Sequence, residues 1–311
     1  MTFFINTLLS PNTIHIYDTC INKWLLLVPL QSVDFIILFP KQSIALLIRH
    51  LLHREQTEQK LICTHTNIRH YLAAILAVLR YSPHVAPTIP NRMEYYQLWL
   101  KIQDDNSKPM FDRRLQQLPT VKQSEKGGSK LSYSDLIAKR DSGTLDMYSQ
   151  LLLAMYTYLY PVRADYFATQ IIYNNETPTS PNYIRMTDSS AELMLTEFKT
   201  AKQFKQIHYP TVPHDLFLLL QQSLKNTPRQ YLFVGNNSKP FTRVRYSQWA
   251  AELLEKTMGV ELNLTIVRHL FISTISMELP AHELKRIGDL MGHSFAQQKL
   301  YKWHPTSEAS S

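Results

Sequence analysis

The chain has 311 residues, 44% of them hydrophobic and 11% aromatic, with only seven glycines. That composition excludes a disordered or fibrous chain and suffices for about two domains, each burying its own core. A formal charge of +8 favours a polyanionic partner, while two cysteines, Cys20 and Cys63, supply neither a disulfide framework nor a self-contained zinc site and point to a reducing compartment.

Residues 1–10 are apolar, but no basic residue precedes them and Pro11 follows, which makes a poor signal peptide. Ser10-Pro11 reads as a cap and first-turn proline, after which Ile14, Tyr17, Ile21 and Trp24 recur at helical spacing. Pro29, Gln31 and Asp34 interrupt the apolar run over 24–39, so no membrane span and no membrane partner is expected, and the chain reads as soluble and intracellular. Pro40 opens a second helix with Ile44, Leu47, Ile48, Leu51 and Leu52 on one face. A third begins near Thr66 and runs through Ile68, Tyr71, Leu72, Ile75, Leu76 and Leu79. A fourth, over 93–102, carries Tyr95, Leu98, Trp99 and Ile102. None of these helices buries its apolar face alone, which predicts a small bundle over 1–105.

Between Asp104 and Lys130 the composition shifts to polar residues, four lysines and Gly127-Gly128, predicting an extended linker over 106–130. Residues 1–130 hold 15 Lys and Arg against 9 Asp and Glu, whereas residues 131–311 hold 18 against 16. A nucleic-acid partner would therefore be gripped non-specifically in large part by the amino-terminal half.

Beyond the linker, 133–140 and 145–160 read as helices. Short strand-like runs follow at 183–186, 193–198 and 207–212, and helical spacing returns over 214–224, 246–258, 265–277 and 283–291. The expected fold is mainly α: an amino-terminal helical bundle, then a mixed α+β domain over 131–311 with a small three-stranded antiparallel sheet.

The chemistry-bearing residues lie in this second part. Leu159-Tyr160-Pro161-Val162-Arg163 ends an apolar helix with an arginine at a sharp turn. Glu197-Phe198-Lys199-Thr200-Ala201-Lys202 sits between two predicted strands. Thr265-Ile266-Val267-Arg268-His269 opens an apolar helix, Met291-Gly292-His293-Ser294 follows, and Tyr301 comes eight residues after His293. Taken singly, most have plain readings: Arg163 as a cation at a helix end, Lys199, Lys202 and Lys205 as a solvated hairpin, Tyr301 as packing. Arg268 is harder to dismiss, because a guanidinium among Ile266, Val267 and Leu270 needs an anion or a buried carboxylate.

In this order the residues resemble the tyrosine recombinase family, which includes the phage integrases. The pattern is an arginine, a hairpin lysine, a His-x-x-Arg box, a Gly-His box and a terminal tyrosine. The resemblance covers roughly 130–303, and the wording of 264–269, 291–294 and 297–301 with Lys199-Thr200 is most similar to recombinases of large DNA viruses and mobile elements. It implies a site-specific recombinase or integrase that cleaves and rejoins double-stranded DNA through a 3′-phosphotyrosyl bond, as a homotetramer, with neither metal nor small-molecule cofactor. Residues 1–105 would be its core-binding domain and 131–311 its catalytic domain. Arg163 and Arg268 would clamp the scissile phosphate, His293 would bond a non-bridging oxygen or assist proton movement, Lys199 would be the general acid and Tyr301 the nucleophile. Lys202, Lys205 and Ser294 would be DNA contacts, with Lys202 the alternative acid.

This sequence departs from the pattern at Thr265, where the box has histidine. Threonine can donate a hydrogen bond to phosphate but carries no proton charge, so the resemblance implies that Thr265 contacts phosphate or positions Arg268. His269 lies about 100° further around the helix and is a poor substitute. Alternatives are a type IB topoisomerase, which shares the chemistry, or a catalytically decayed DNA-binding protein.

Overall fold

The computed structural model describes residues 3–4, 9–83, 85, 88–116, 118–119, 123, 127–235, 238–276, 278–294 and 302–303. Its contacts divide the chain into two units, Met1–Arg114 and Leu115–Ser311.

The first unit is helical: α1 (Pro11–Leu25), α2 (Val33–Leu38), α3 (Pro40–Glu58), α4 (His65–Tyr81) and most of α5 (Arg92–Leu115). Local chemistry starts the helices. Ser10 Oγ accepts from Thr13 N–H, and Thr64 Oγ1 from Asn67 N–H, each satisfying an otherwise orphaned first-turn donor. The core centres on Trp24, packed edge-on against Tyr71 and Trp99 at about 6 Å. Both indoles reach main-chain acceptors, Trp24 Nε1 donating to Ser43 O and Trp99 Nε1 to Ile37 O, so neither N–H is buried without a partner.

Two features differ from expectation. The short helix α2 lies in a stretch for which periodicity predicts nothing. More informative is α5, which runs thirteen residues past 102 and through Pro109, into the span expected as linker. Contacts with the start of α4 hold it there: Asn106 Nδ2 donates to His65 O at 3.0 Å, Thr66 Oγ1 donates to Met110 Sδ, and Arg69 lies over the Phe111 ring. Packing outweighs the poor helix propensity of Asp104-Asp105-Asn106-Ser107 and the interior proline.

The second unit opens with α6 (Tyr133–Asp141) and α7 (Met147–Thr157). A reciprocal capping box starts α6, Ser132 Oγ accepting from Asp135 N–H and Asp135 Oδ2 from Ser132 N–H. A mixed sheet of four strands follows, in the order β1 (Gln170–Tyr173), β2 (Asn182–Met186), β3 (Ala191–Leu195) and β4 (Ile207–Tyr209). β2, β3 and β4 are antiparallel neighbours, as the alternation of their side chains implies, with Arg185 opposite Glu192 on the wetter face. β1 is the addition: it pairs parallel to β2, Gln170 opposite Tyr183. Three of its four residues are buried and show no alternation, so neither hairpin spacing nor periodicity marks it.

Then come α8 (Ala201–Phe204), α9 (His214–Asn226), α10 (Arg243–Met258), α11 (Leu264–Thr274) and α12 (Ala281–Leu290). The main core lies between α6, α7, α9–α11 and the buried sheet face. A satellite cluster of Ile272, Ile275, Leu284, Ile287 and Met291 seats α12 against the end of α11. Among the described residues, no helix is long and apolar enough to cross a membrane.

Candidate active site

The end of α12 fixes the first half of the site. Gly292 has φ +62°, its N–H donates to Asp289 O, and His293 N–H donates to Gly288 O. These are the paired bonds of a helix terminated by a left-handed glycine, so the glycine of the Gly-His pair is required by backbone geometry. The chain then turns inward and buries His293, which is 2% exposed.

Arg268 meets it from α11. Asn263 caps that helix, its Oδ1 accepting from Thr265 and Ile266 N–H, and Arg268 follows one turn in, fully buried. Its Nη1 donates to Pro161 O and to Met291 O, both at 3.0 Å, and its Nη2 lies 2.7 Å from His293 Nδ1. Arginine only donates, so Nδ1 must accept and the imidazole carries its proton on Nε2. Burial, reinforced by Arg268 and then Arg163, holds the His293 pKa down at about 3, which keeps the ring neutral at ordinary pH.

Arg163 approaches from the turn after α7. Its Nη1 donates to Gly292 O at 3.2 Å, while its main-chain N–H donates to Asp165 Oδ2. Buried Asp165 also pairs with Arg243 from the start of α10. Asn182, at the head of β2, braces the same turn. Its Nδ2 donates to Asp165 O and Glu197 O, and its Oδ1 accepts from Thr196 and Glu197 N–H. The turn bearing Arg163 and the segment leading into Lys199 are thus held by one buried amide.

Arg163, Arg268 and His293, up to 130 positions apart in sequence, therefore converge on the corner at 291–293. Lys199, exposed in the turn before α8, lines an open groove together with Arg163, Arg243, Asn263 and Thr265. Thr265 is exposed in the first turn of α11. Lys202 and Lys205 are also exposed but lie outside the groove lining, and Ser294 is exposed beyond the buried histidine. His269 faces elsewhere, its ring stacked on Trp303 at 4.1 Å and 9°. Tyr301 lies outside the described residues. The next two residues are fastened to the Arg268 helix and its end: Trp303 N–H donates to Ser273 Oγ, and Lys302 Nζ to Ile275 O. Among the described residues, no group of three His, Cys, Asp or Glu side chains is placed to hold a metal ion.

Sequence reasoning gives no role to Asp165, Asn182, Thr200 and Arg243. Asp165 lies two residues beyond Arg163 and Thr200 is half of the Lys199-Thr200 pair, whereas Asn182 and Arg243 act through contacts with no local signature. Two main-chain carbonyls and an imidazole nitrogen are among the groups that meet the Arg268 guanidinium.

No protein-family model matches the chain, and neither does any curated protein. Solved structures do match, among them a structure described as that of XerA recombinase, with 15% sequence identity, coverage of 97% of this chain and 90% of that one, and a TM-score of 0.41.

Proposed function

We propose that this protein is a DNA recombinase of the tyrosine type, which cuts and rejoins double-stranded DNA at the groove between Arg163, Lys199 and Thr265. The observation that carries this reading is the gathering of two arginines and a neutral histidine on one buried corner, with one of those arginines, Arg163, also lining the groove that Lys199 and Thr265 line. Arginine suits a phosphate because its planar fork holds two oxygens and keeps its charge. His293, neutral and protonated on Nε2, serves as a hydrogen-bond donor to a phosphate oxygen.

In this reading the Tyr301 phenol oxygen attacks phosphorus as its proton leaves to water. A phosphorus–phenolate oxygen bond forms and the bond to the 5′ oxygen breaks. Lys199 delivers a proton to that oxygen and regains one from solvent. Rejoining reverses these steps with a second strand, and because the phosphotyrosyl bond keeps the ester energy no ATP is needed. Cationic side chains take the electrostatic work that a metal does elsewhere. Exchange of both strands of two duplexes needs four cleavages and each chain brings one Tyr301, so a homotetramer on DNA is the working assembly. Residues 1–105 would be its DNA clamp, acting wherever the target DNA resides inside the cell.

The test is a pool of nicked duplexes, randomised around the nick, incubated with the protein in EDTA. Detergent-stable protein–DNA adducts should be recovered, with the DNA-bearing peptide containing Tyr301 and the selected duplex supporting two-site exchange. Recovery of no adduct, or attachment at another residue, would overturn the proposal.

Thr265 gives a second check. Its side chain is exposed, so Thr265→Ala should shift stability by no more than about 0.5 kcal/mol. A lost hydrogen bond to a charged phosphate should still slow cleavage roughly 10- to 100-fold. An unchanged cleavage rate would remove Thr265 from the reaction.

A further inference from the structure

Thr200 occupies the residue before α8, the position at which a threonine ordinarily turns its hydroxyl onto its own helix, yet it makes no such bond. Its Oγ1 instead donates to Gly292 O at 2.7 Å, across 92 positions of sequence. The same carbonyl accepts from Arg163 Nη1. Gly292 is packed against this contact: a Cβ there would stand 3.2 Å from Thr200 Oγ1 and 3.3 Å from Phe198 Cε2. Lys199, between Phe198 and Thr200, has an exposed side chain, and the turn that carries it is pinned on both sides by the Gly292 corner.

We infer that Thr200 is a positioning residue for Lys199: its hydroxyl fastens the lysine turn to the corner that also holds Arg163 and His293, so that acid and phosphate clamp share one reference point. This rests on the recombinase reading above. The physical case is entropic. A lysine on a free turn spreads its ammonium over many positions, whereas tying the adjacent residue through one part-buried hydrogen bond removes main-chain freedom. Local capping by Thr200 would steady only the four residues of α8.

The duplex recovered in the adduct selection would be prepared with either oxygen or sulfur bridging to the 5′ side. Sulfur leaves without protonation, so defects acting through the acid disappear with it. Thr200→Val, which keeps shape and loses the hydroxyl, should cleave the oxygen substrate roughly 10- to 100-fold more slowly and the sulfur substrate at the wild-type rate, with DNA affinity unchanged. Thr200→Ser, which retains the hydroxyl and tests the same bond if the valine variant folds poorly, should stay within about threefold of wild type on both. A Thr200→Val rate equal to wild type on oxygen would overturn the inference. So would an equal deficit on both substrates, which would assign Thr200 to the arginine clamp. In either case wild-type adduct would leave the recombinase reading standing. Absence of adduct in wild type would remove that reading and this inference together.

Discussion

Replacing Arg268 by methionine is expected to lower the rate of DNA cleavage on the order of 10³-fold or more, by analogy with other buried cationic or oxyanion donors in phosphoryl and acyl transfer. Its effect on stability should be smaller, and the reason lies in opposing terms. Methionine is long and flexible enough to fill much of the space that the buried arginine stem occupies. It leaves Pro161 O, Met291 O and His293 Nδ1 without this donor, at about 1–3 kcal/mol for each group that water cannot reach. Against that, a fully buried positive charge no longer has to be desolvated, which returns several kcal/mol. A net loss of roughly 1–3 kcal/mol is expected from that balance. Arg268→Lys keeps the charge, but its three donors radiate from one nitrogen and cannot reproduce contacts made from two separate guanidinium nitrogens. Its cleavage rate should fall nearly as far as that of the methionine variant. Single-turnover cleavage and chemical denaturation of both variants would measure the two effects. Cleavage within tenfold of wild type in either would show that this guanidinium does not touch the reacting phosphate.

The parts of the fold that are legible in the sequence are those whose causes are local. Ser10-Pro11 announces α1 because a cap and a first-turn proline act within four residues, and β2 to β4 show their alternation because one sheet face is wet. Asn263 was readable in principle as the cap that starts α11. The end of α5 was not, since residues beyond 102 are helical because of His65, Thr66 and Arg69, some forty positions away. β1 was hidden for a related reason: it is buried on both sides and pairs in parallel at the sheet edge. Within the site, the order of Arg163, Lys199, Arg268 and His293 could be read directly, but their supports could not. Arg268 rests partly on main-chain carbonyls, which every residue possesses and no sequence distinguishes. Asn182 looks like any polar residue at a strand end until its four hydrogen bonds are traced.

The neutrality of His293 leads to a second large effect, on stability against pH. In the unfolded chain a histidine titrates near 6.5, whereas in the folded unit burial, Arg268 and Arg163 hold His293 down to about 3. Between those values the unfolded chain binds the extra proton, so stability rises with pH across the window and is lost as pH falls through it. The loss should reach about 2 kcal/mol at pH 5 and about 4–5 kcal/mol near pH 3. Glutamine in place of His293 offers an acceptor to Arg268 and an amide donor in place of Nε2–H, and does not titrate. His293→Gln should therefore keep more activity than His293→Phe, and its stability should fall less steeply on acidification. Carboxylates titrate in both proteins and cancel in the difference, so denaturation of wild type and His293→Gln from pH 7 to pH 4 isolates the imidazole. Parallel curves would mean that His293 is free to protonate, and that the contact with Arg268 is not the one that fixes its tautomer. Arg268→Met supplies the converse. With one of the two nearby charges gone but burial intact, the His293 pKa should rise and still stay below 6.5, a shift that ring-proton NMR would follow directly.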